Sequence, residues 1–331
     1  MVGKGSMASI GLIYGSRFED IDHMAPLMEI LGLPLFVTDE KILEIIRTFY
    51  PAVNVQIYAP PLLGKALLKE GNTLISCLLT TKIRRLFGLE EMMEKRALHT
   101  VFVPHGYAQE DLSRGILGEK HILVLGKKMV DLLYSLTTMY NFKTLVSIGN
   151  YRYLYFKKHQ TFMEEKIERP FSFAKEHKAL FFPTNLEDPS HIAFLRDHLK
   201  EGWKLFVKYH AKTFNDLFDR AIHSEEKLDT PYVYPYLEKG SLFVVEDSNA
   251  VYDALFFNTP TFFFKDHPEL DTLGIRFQEN LDKSLKKVEN LQIKKKEILP
   301  YAFDQYNSLD EIKIRVLALL KDINEGDDTI Y

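Results

Sequence analysis

Two histidines stand just past apolar runs that read as strands. His105 follows such a run in HTVFVPHGY, and His210 ends another in KLFVKYHAK. A histidine just beyond the carboxyl end of a parallel strand faces the crevice where open α/β sheets bind ligands. There it can act as a general base or hold a phosphate through a donated N–H. A single strand-end histidine is more often structural or merely exposed. The pair, at matching positions in two halves of the chain, raises the chemical reading. A third stretch, VVEDSNAVYDAL, ends a strand at Val245 or Glu246 and opens a helix. Asp247, Ser248 and Asn249 occupy the turn, where unpaired N–H groups and the positive end of a helix dipole suit a phosphate. The same residues can cap the helix, and the two roles are compatible.

Other residues could line the same crevice. Gly106 follows His105, and Gly15, Ser16 and Arg17 follow the first strand in IYGSRFEDIDH. This stretch lacks a full GxGxxG, so dinucleotide binding has little support. Asp20 and Asp22 have the DxD form that can hold a metal and a nucleotide. The context is wrong for that role, and no metal is assigned. His23 is a spare candidate, and His267 a weaker one. Arg152, in GNYR, could reach an anionic ligand or form a plain salt bridge; Gly149 before it permits a sharp turn. His191 and His198, seven apart on a helix, are expected at its surface. The one cysteine, Cys77, lies in TLISCLL and is expected to be a small buried hydrophobe. No CxxC or His/Cys cluster suggests zinc.

The elements that must position these residues alternate. Strands are expected at 10–14, 34–38, 53–59, TLISCLL, HTVFVP, 121–126 and 144–149. Helices lie between them, among them DEKILEIIRTFY with Asp39 as N-cap and PPLLGKALLKE opened by prolines. Residues 153–176 are polar, charged and aromatic, and read as a crossing between domains. The alternation then restarts with strands at 178–183, 204–210, YVY, 241–246 and TPTFFF. DPSHIAFLRDHLKE reads as a helix capped by Asp188 with Pro189 first, and another helix starts near 212. A helix near 278–290 and a last one, with Ser308 and Glu311 spaced as a capping box, close the chain. The expected fold is α/β: two Rossmann-like domains, 7–152 and 177–331, facing across a cleft, each a parallel sheet flanked by helices. The last helix is able to pack back on the first domain.

Taken in order, these pieces resemble the CDP-glycerol glycerophosphotransferase family of teichoic acid synthesis, and more loosely the GT-B glycosyltransferases. VPHGY with His105 stands where that family has a TWHGT-like turn, and KYHAK with His210 where it has a KxHP-like strand end. EDSN matches part of a DYSS-like phosphate-binding turn, and Asp253 matches an aspartate in the following helix. AQEDLSRG replaces the usual lysine-rich segment, Ala211 the proline and Asn249 the second serine. The resemblance covers mainly residues 99–265. It implies a metal-independent transfer from a nucleotide-diphosphate-linked donor, CDP-linked in that family, with no separate cofactor. His105 would take the proton of an acceptor hydroxyl. His210 and the Ser248–Asn249 helix terminus would stabilise the phosphate charge. The first domain would hold the acceptor and the second the donor. A lipid-linked acceptor would imply peripheral binding at the inner face of the membrane. The helix 81–96, with Lys82, Arg84 and Arg85 beside Leu86, Phe87 and Met92, could then dock there, although an ordinary packed helix is the plainer reading.

Composition bounds the alternatives. The 331 residues are 46% hydrophobic and 27% charged, with net charge −4, so no overall pull toward nucleic acid is expected. No run of about 18 apolar residues exists. The first residues lack a signal-peptide core, with Met7 as the natural start, which points to a cytoplasmic protein. No obligatory protein partner is evident. A UDP-sugar transferase or epimerase, and an inactive protein of the same fold, remain open alternatives.

Overall fold

The apolar runs become parallel strands, and the amphipathic stretches between them become the helices that cover the sheets. The structure is a computed structural model. It describes residues 8–107, 116, 118–135, 142–183, 189–208, 222–224, 226–246, 250–257, 259–264, 275–276 and 288–325. The chain divides into two units, Met1–Tyr155 with Phe303–Tyr331, and Phe156–Ala302.

The first unit runs β1 (Ala8–Ile13), α1 (Ile21–Leu31), β2 (Leu35–Val37), α2 (Glu40–Phe49), β3 (Val55–Ile57), α3 (Pro60–Glu70), β4 (Gly71–Ser76), α4 (Thr80–Glu94), β5 (His99–Phe102), β6 (His121–Val124), α5 (Lys127–Ser135) and β7 (Thr144–Ser147). The sheet order is β3-β2-β1-β4-β5-β6-β7, with every pairing parallel. One face buries Ile10, Leu12, Phe36 and Leu74 against Leu63 and Leu67 of α3 and Ile83 and Phe87 of α4. Asp39 caps α2, accepting from the N–H groups of Lys41 and Ile42. A segment from the far end of the chain completes this unit, the helix Leu309–Glu325, which packs on α1, β4 and β7. Ser308 Oγ accepts from Glu311 N at 3.4 Å, the cap that its spacing predicts. Just before this helix, the Asp304 carbonyl accepts from Asn150 N at 3.2 Å. It comes so close to Gly149 (φ +47°) that a Cβ there would lie 2.1 Å from it.

The second unit follows the same plan. After α6 (Tyr151–Lys166) and α7 (Arg169–Ser172) come β8 (His177–Phe182), α8 (Ser190–His198), β9 (Trp203–Lys208), β10 (Lys227–Leu228), α9 (Tyr234–Lys239), β11 (Leu242–Val245), α10 (Ala250–Asp253), β12 (Thr261–Phe263), β13 (Ile275–Arg276) and α11 (Val288–Ala302). The order is β10-β9-β8-β11-β12-β13, again all parallel. Ala179, Phe181, Leu205, Val207, Leu242 and Val244 pack on Ile192 and Leu195 of α8. On the other face, Phe206 and Tyr236 close on Phe171 of α7, with ring centroids 4.9 and 5.0 Å away.

Several local expectations change. YVY is not a strand: Tyr234 opens α9, because Pro235 cannot donate to a sheet ladder but fits a first helical turn. Much of the polar segment 153–176 is helical, in α6 and α7, with a break at His159 (φ −109°, ψ 18°). α8 begins at Ser190, so Pro189 stands just before the helix rather than in it. α11 runs to Ala302, beyond the expected end near 290, carrying Pro300 in its last turn. Asp188, the helix from about 212, and residues 278–287 lie outside the described residues.

Candidate functional site

In the first unit the register places three strand ends side by side. Leu12 of β1 pairs with Ser76 of β4, and Ser76 with Phe102 of β5. β1 and β4 are also where the strand order reverses, the point at which open α/β sheets bind ligands. The residues just beyond these ends are Tyr14 to Arg17, Cys77, and Val103 to His105. Gly15, with φ +70°, turns the chain so that its N–H bonds Thr38 Oγ1 at 2.7 Å. Ser16 Oγ donates to Asp39 at 2.6 Å. A short 3-10 turn, Phe18–Asp20, then brings Asp20 under the sheet end.

Asp20 has 0% side-chain exposure and sits between two partners. Arg17 forks onto it, Nε to Oδ2 at 2.7 Å and Nη2 to Oδ1 at 3.1 Å. His105 Nε2 bonds Oδ1 from the other side, with its own side chain 13% exposed. Burial pushes the Asp20 carboxyl upward. The bonds and charges of His105 and Arg17 outweigh that and leave it below its ordinary 3.8. The His23 ring meets the His105 ring edge to face, with centroids 5.2 Å apart. Gly106 follows with φ +153°.

Cys77 is buried beside this pair. Burial raises its thiol to about 11, against the opposing pull of His105. Asp20, Cys77 and His105 each offer a ligand atom, all within 4.8 Å of one another. They are the residues here that could hold a metal. Arg17 already satisfies Asp20, however, and metal binding would require Cys77 to lose its proton. Asp22, the second acid of the DxD, accepts from Tyr50 Oη at 2.7 Å and pairs with Arg152. Arg152 therefore lies in the first unit as the partner of a carboxylate.

In the second unit the strand order reverses between β8 and β11, where Phe182 pairs with Val245. Glu246 follows at once and is fully buried, and His191 of α8 bonds it, Nδ1 to Oε1 at 2.5 Å. His191, expected at the helix surface, is partly exposed at 27% but also partnered; its ring stacks on Phe264, 4.2 Å away and 7° from parallel. Helical spacing cannot reveal a partner 55 residues further along. His198 bonds the Phe194 carbonyl of its own helix at 2.8 Å. Asp253 of α10 is buried and accepts from Tyr234 Oη at 2.7 Å. His210, Asp247, Ser248, Asn249 and His267 lie outside the described residues. The structure thus brings His105, Arg17 and His23 together and adds Asp20 and Cys77, which sequence reasoning had set aside.

Two parallel-sheet units, with strands in the order 3-2-1-4-5-6-7 in the first and 3-2-1-4-5-6 in the second, define an α/β protein of the GT-B fold. No protein-family model matches the chain, and no curated protein sequence does. Solved structures do match it. One is a protein from Listeria monocytogenes described as a UDP-N-acetylglucosamine 2-epimerase (TM-score 0.62, 12% identity, 98% of each chain covered). Another is S. aureus MnaA in complex with UDP (0.62, 14%, 96% of this chain and 97% of that one). A third is the wall teichoic acid polymerase TagF (0.62, 12%, 97% and 90%), a variant of which was soaked with CDPG. These likenesses carry the fold.

Proposed function

We propose that the chain is a GT-B transferase that moves a group from a nucleotide-diphosphate-linked donor to an acceptor hydroxyl. The observation that carries this reading is the Asp20–His105 contact at the switch point of the first sheet. A carboxylate only accepts, so Asp20 accepts a hydrogen bond from Nε2–H and orients the ring for work as a general base. Arg17 keeps Asp20 ionised and in place. His105 would remove the acceptor's proton as its oxygen attacks and the nucleotide leaves. The turn at 247–249 and His210 would stabilise the phosphate charge that develops, as in the resembled family. The finer expectation is glycerophosphate transfer from a CDP-linked donor in the synthesis of a cell-envelope polymer.

A lipid-linked acceptor would place the protein at the inner face of the membrane. Among the described residues no helix is long and apolar enough to cross one, so attachment would be peripheral. One observation favours a second reading, a UDP-sugar epimerase: the near-complete coverage of the Listeria protein.

Thermal shift with CMP, CDP, UDP and GDP separates these readings. A ligand at about 100 times its Kd stabilises a fold by about 2.7 kcal/mol. A cytidine-selective shift supports the CDP-linked transferase, and a uridine-selective one the sugar-nucleotide enzymes. His105→Ala should keep that shift and lower turnover at least about 100-fold. If none of the nucleotides shifts the wild type, the donor reading fails and an inactive protein of this fold takes its place.

A further inference from the structure

The second unit holds an imidazole that the chemistry above does not use. His191 is the second residue of α8, and its partner Glu246 is the first residue past β11. Both stand at the reversal point of the second sheet, outside the carboxyl ends of β8 and β11. A carboxylate as buried as Glu246 must be supplied with hydrogen-bond donors. His191 supplies one through Nδ1 at 2.5 Å. That contact fixes the neutral tautomer: the proton is on Nδ1 and the lone pair on Nε2. Phe264, directly after β12, lies flat against the ring and fixes its plane. The side chain remains 27% exposed, and Nε2 has no hydrogen-bond partner among the described residues. One nitrogen and one face are held, and an acceptor is left at the place where this fold binds ligands.

We propose that His191 binds the nucleoside part of the donor, its Nε2 accepting a hydrogen bond from a base N–H or a ribose O–H. This rests on the nucleotide-donor reading above. Phosphate oxygens that are ionised have no proton to give, so the diphosphate is not the partner of this nitrogen. Glu246 acts through His191 and is a positioning residue.

The test measures binding of CMP, CDP, UDP and inorganic pyrophosphate by calorimetry to the full chain and to His191→Ala, His191→Gln and Glu246→Gln. His191→Ala should weaken the nucleotide that binds wild type about 10-fold, leave pyrophosphate unchanged and keep the unliganded melting temperature near that of wild type. His191→Gln, which also offers an acceptor, should recover part of the loss. Nitrogen-15 NMR of the histidine side chains reads the tautomer without any ligand. At pH 8.5 the His191 proton should be on Nδ1, and Glu246→Gln should redistribute it.

Nucleotide binding that His191→Ala leaves untouched overturns this assignment alone, as does a proton found on Nε2. Equal loss of nucleotide and pyrophosphate affinity moves the contact to the phosphates and overturns it too. Absence of nucleotide binding by wild type overturns the donor reading, and this assignment with it.

Discussion

Replacing Asp20 by asparagine keeps the shape of the side chain and removes the charge that Arg17 and His105 share. Breaking a buried pair on one side costs about 3–5 kcal/mol. The pH dependence follows from the direction of the shift. The folded state holds the Asp20 carboxyl below 3.8, so its contribution is complete above that value and is lost as pH falls through the folded one. Urea midpoints of wild type and Asp20→Asn should therefore differ most near neutrality and converge below about pH 4. A second buried group works in the opposite sense. Lys295 donates to the Thr259 carbonyl at 2.9 Å, and burial pushes it down to about 8. Charging it inside the fold is unfavourable, at a cost that is full below pH 8 and fades between about 8 and 10.4 as the unfolded lysine also deprotonates. Lys295→Met should raise stability at pH 7 by about 1–2 kcal/mol, once the lost hydrogen bond is set against that cost. The gain should vanish near pH 10.5, as read from denaturant midpoints. A net loss of stability at pH 7 would show that the hydrogen bond outweighs the desolvation.

At the scale of the element, α4 has a face that packing inside its unit leaves over. Leu89, Met92 and Met93 are 62%, 69% and 71% exposed. At 3.6 residues per turn, Lys82 and Arg85 share the same third of the circumference. Of the neighbouring acids, Glu90 packs against Gly64 of α3 and Glu91 accepts from Leu98 N. A cationic and apolar face suits an anionic bilayer. Co-sedimentation should show binding to phosphatidylserine vesicles that falls with salt, and loss of it in Lys82→Glu with Arg85→Glu. Binding to neither would leave α4 as an ordinary packed helix, and equal binding to neutral vesicles would exclude Lys82 and Arg85 as its cause. The strands of the first sheet, and β8, β9, β11 and β12 of the second, were readable because buried parallel strands are continuous apolar runs, as in HTVFV and LFVV; the two-residue edge strands β10 and β13 carry no such run. α11 was not, since the lysine run at 294–296 and Pro300 break the periodicity that marks a helix. The site divides in the same way. His105 could be found from its place at a strand end, whereas its pairing with Asp20 spans 85 residues and depends on register. A DxD spelling carries no sign of the separate bonds its acids make, Asp20 with Arg17 and His105, Asp22 with Tyr50 and Arg152.

The first unit is discontinuous, because Phe303–Tyr331 belong to it although the whole second unit intervenes. A chain ending at residue 302 should therefore lose the first unit's cooperative melting and keep that of the second. Calorimetry of the truncated and full chains reads this directly, and two unchanged transitions would show the C-terminal helix to be dispensable. The Asp304 carbonyl closing on Gly149 is part of the reason to expect loss, since the returning segment locks the loop after β7.

This layout sets an order on biosynthesis. Translation at about 5–20 residues per second would need on the order of ten to thirty seconds to make the roughly 150 residues between the two parts of the first unit. Through that interval the nascent first sheet waits without the helix that packs on α1, β4 and β7. The unit made second is the first whose residues are all available to fold, and the unit holding His105 closes last. A growing chain should therefore stay open to holdase chaperones, and to mispairing with a neighbouring chain on the same polysome, until the helix Leu309–Glu325 emerges.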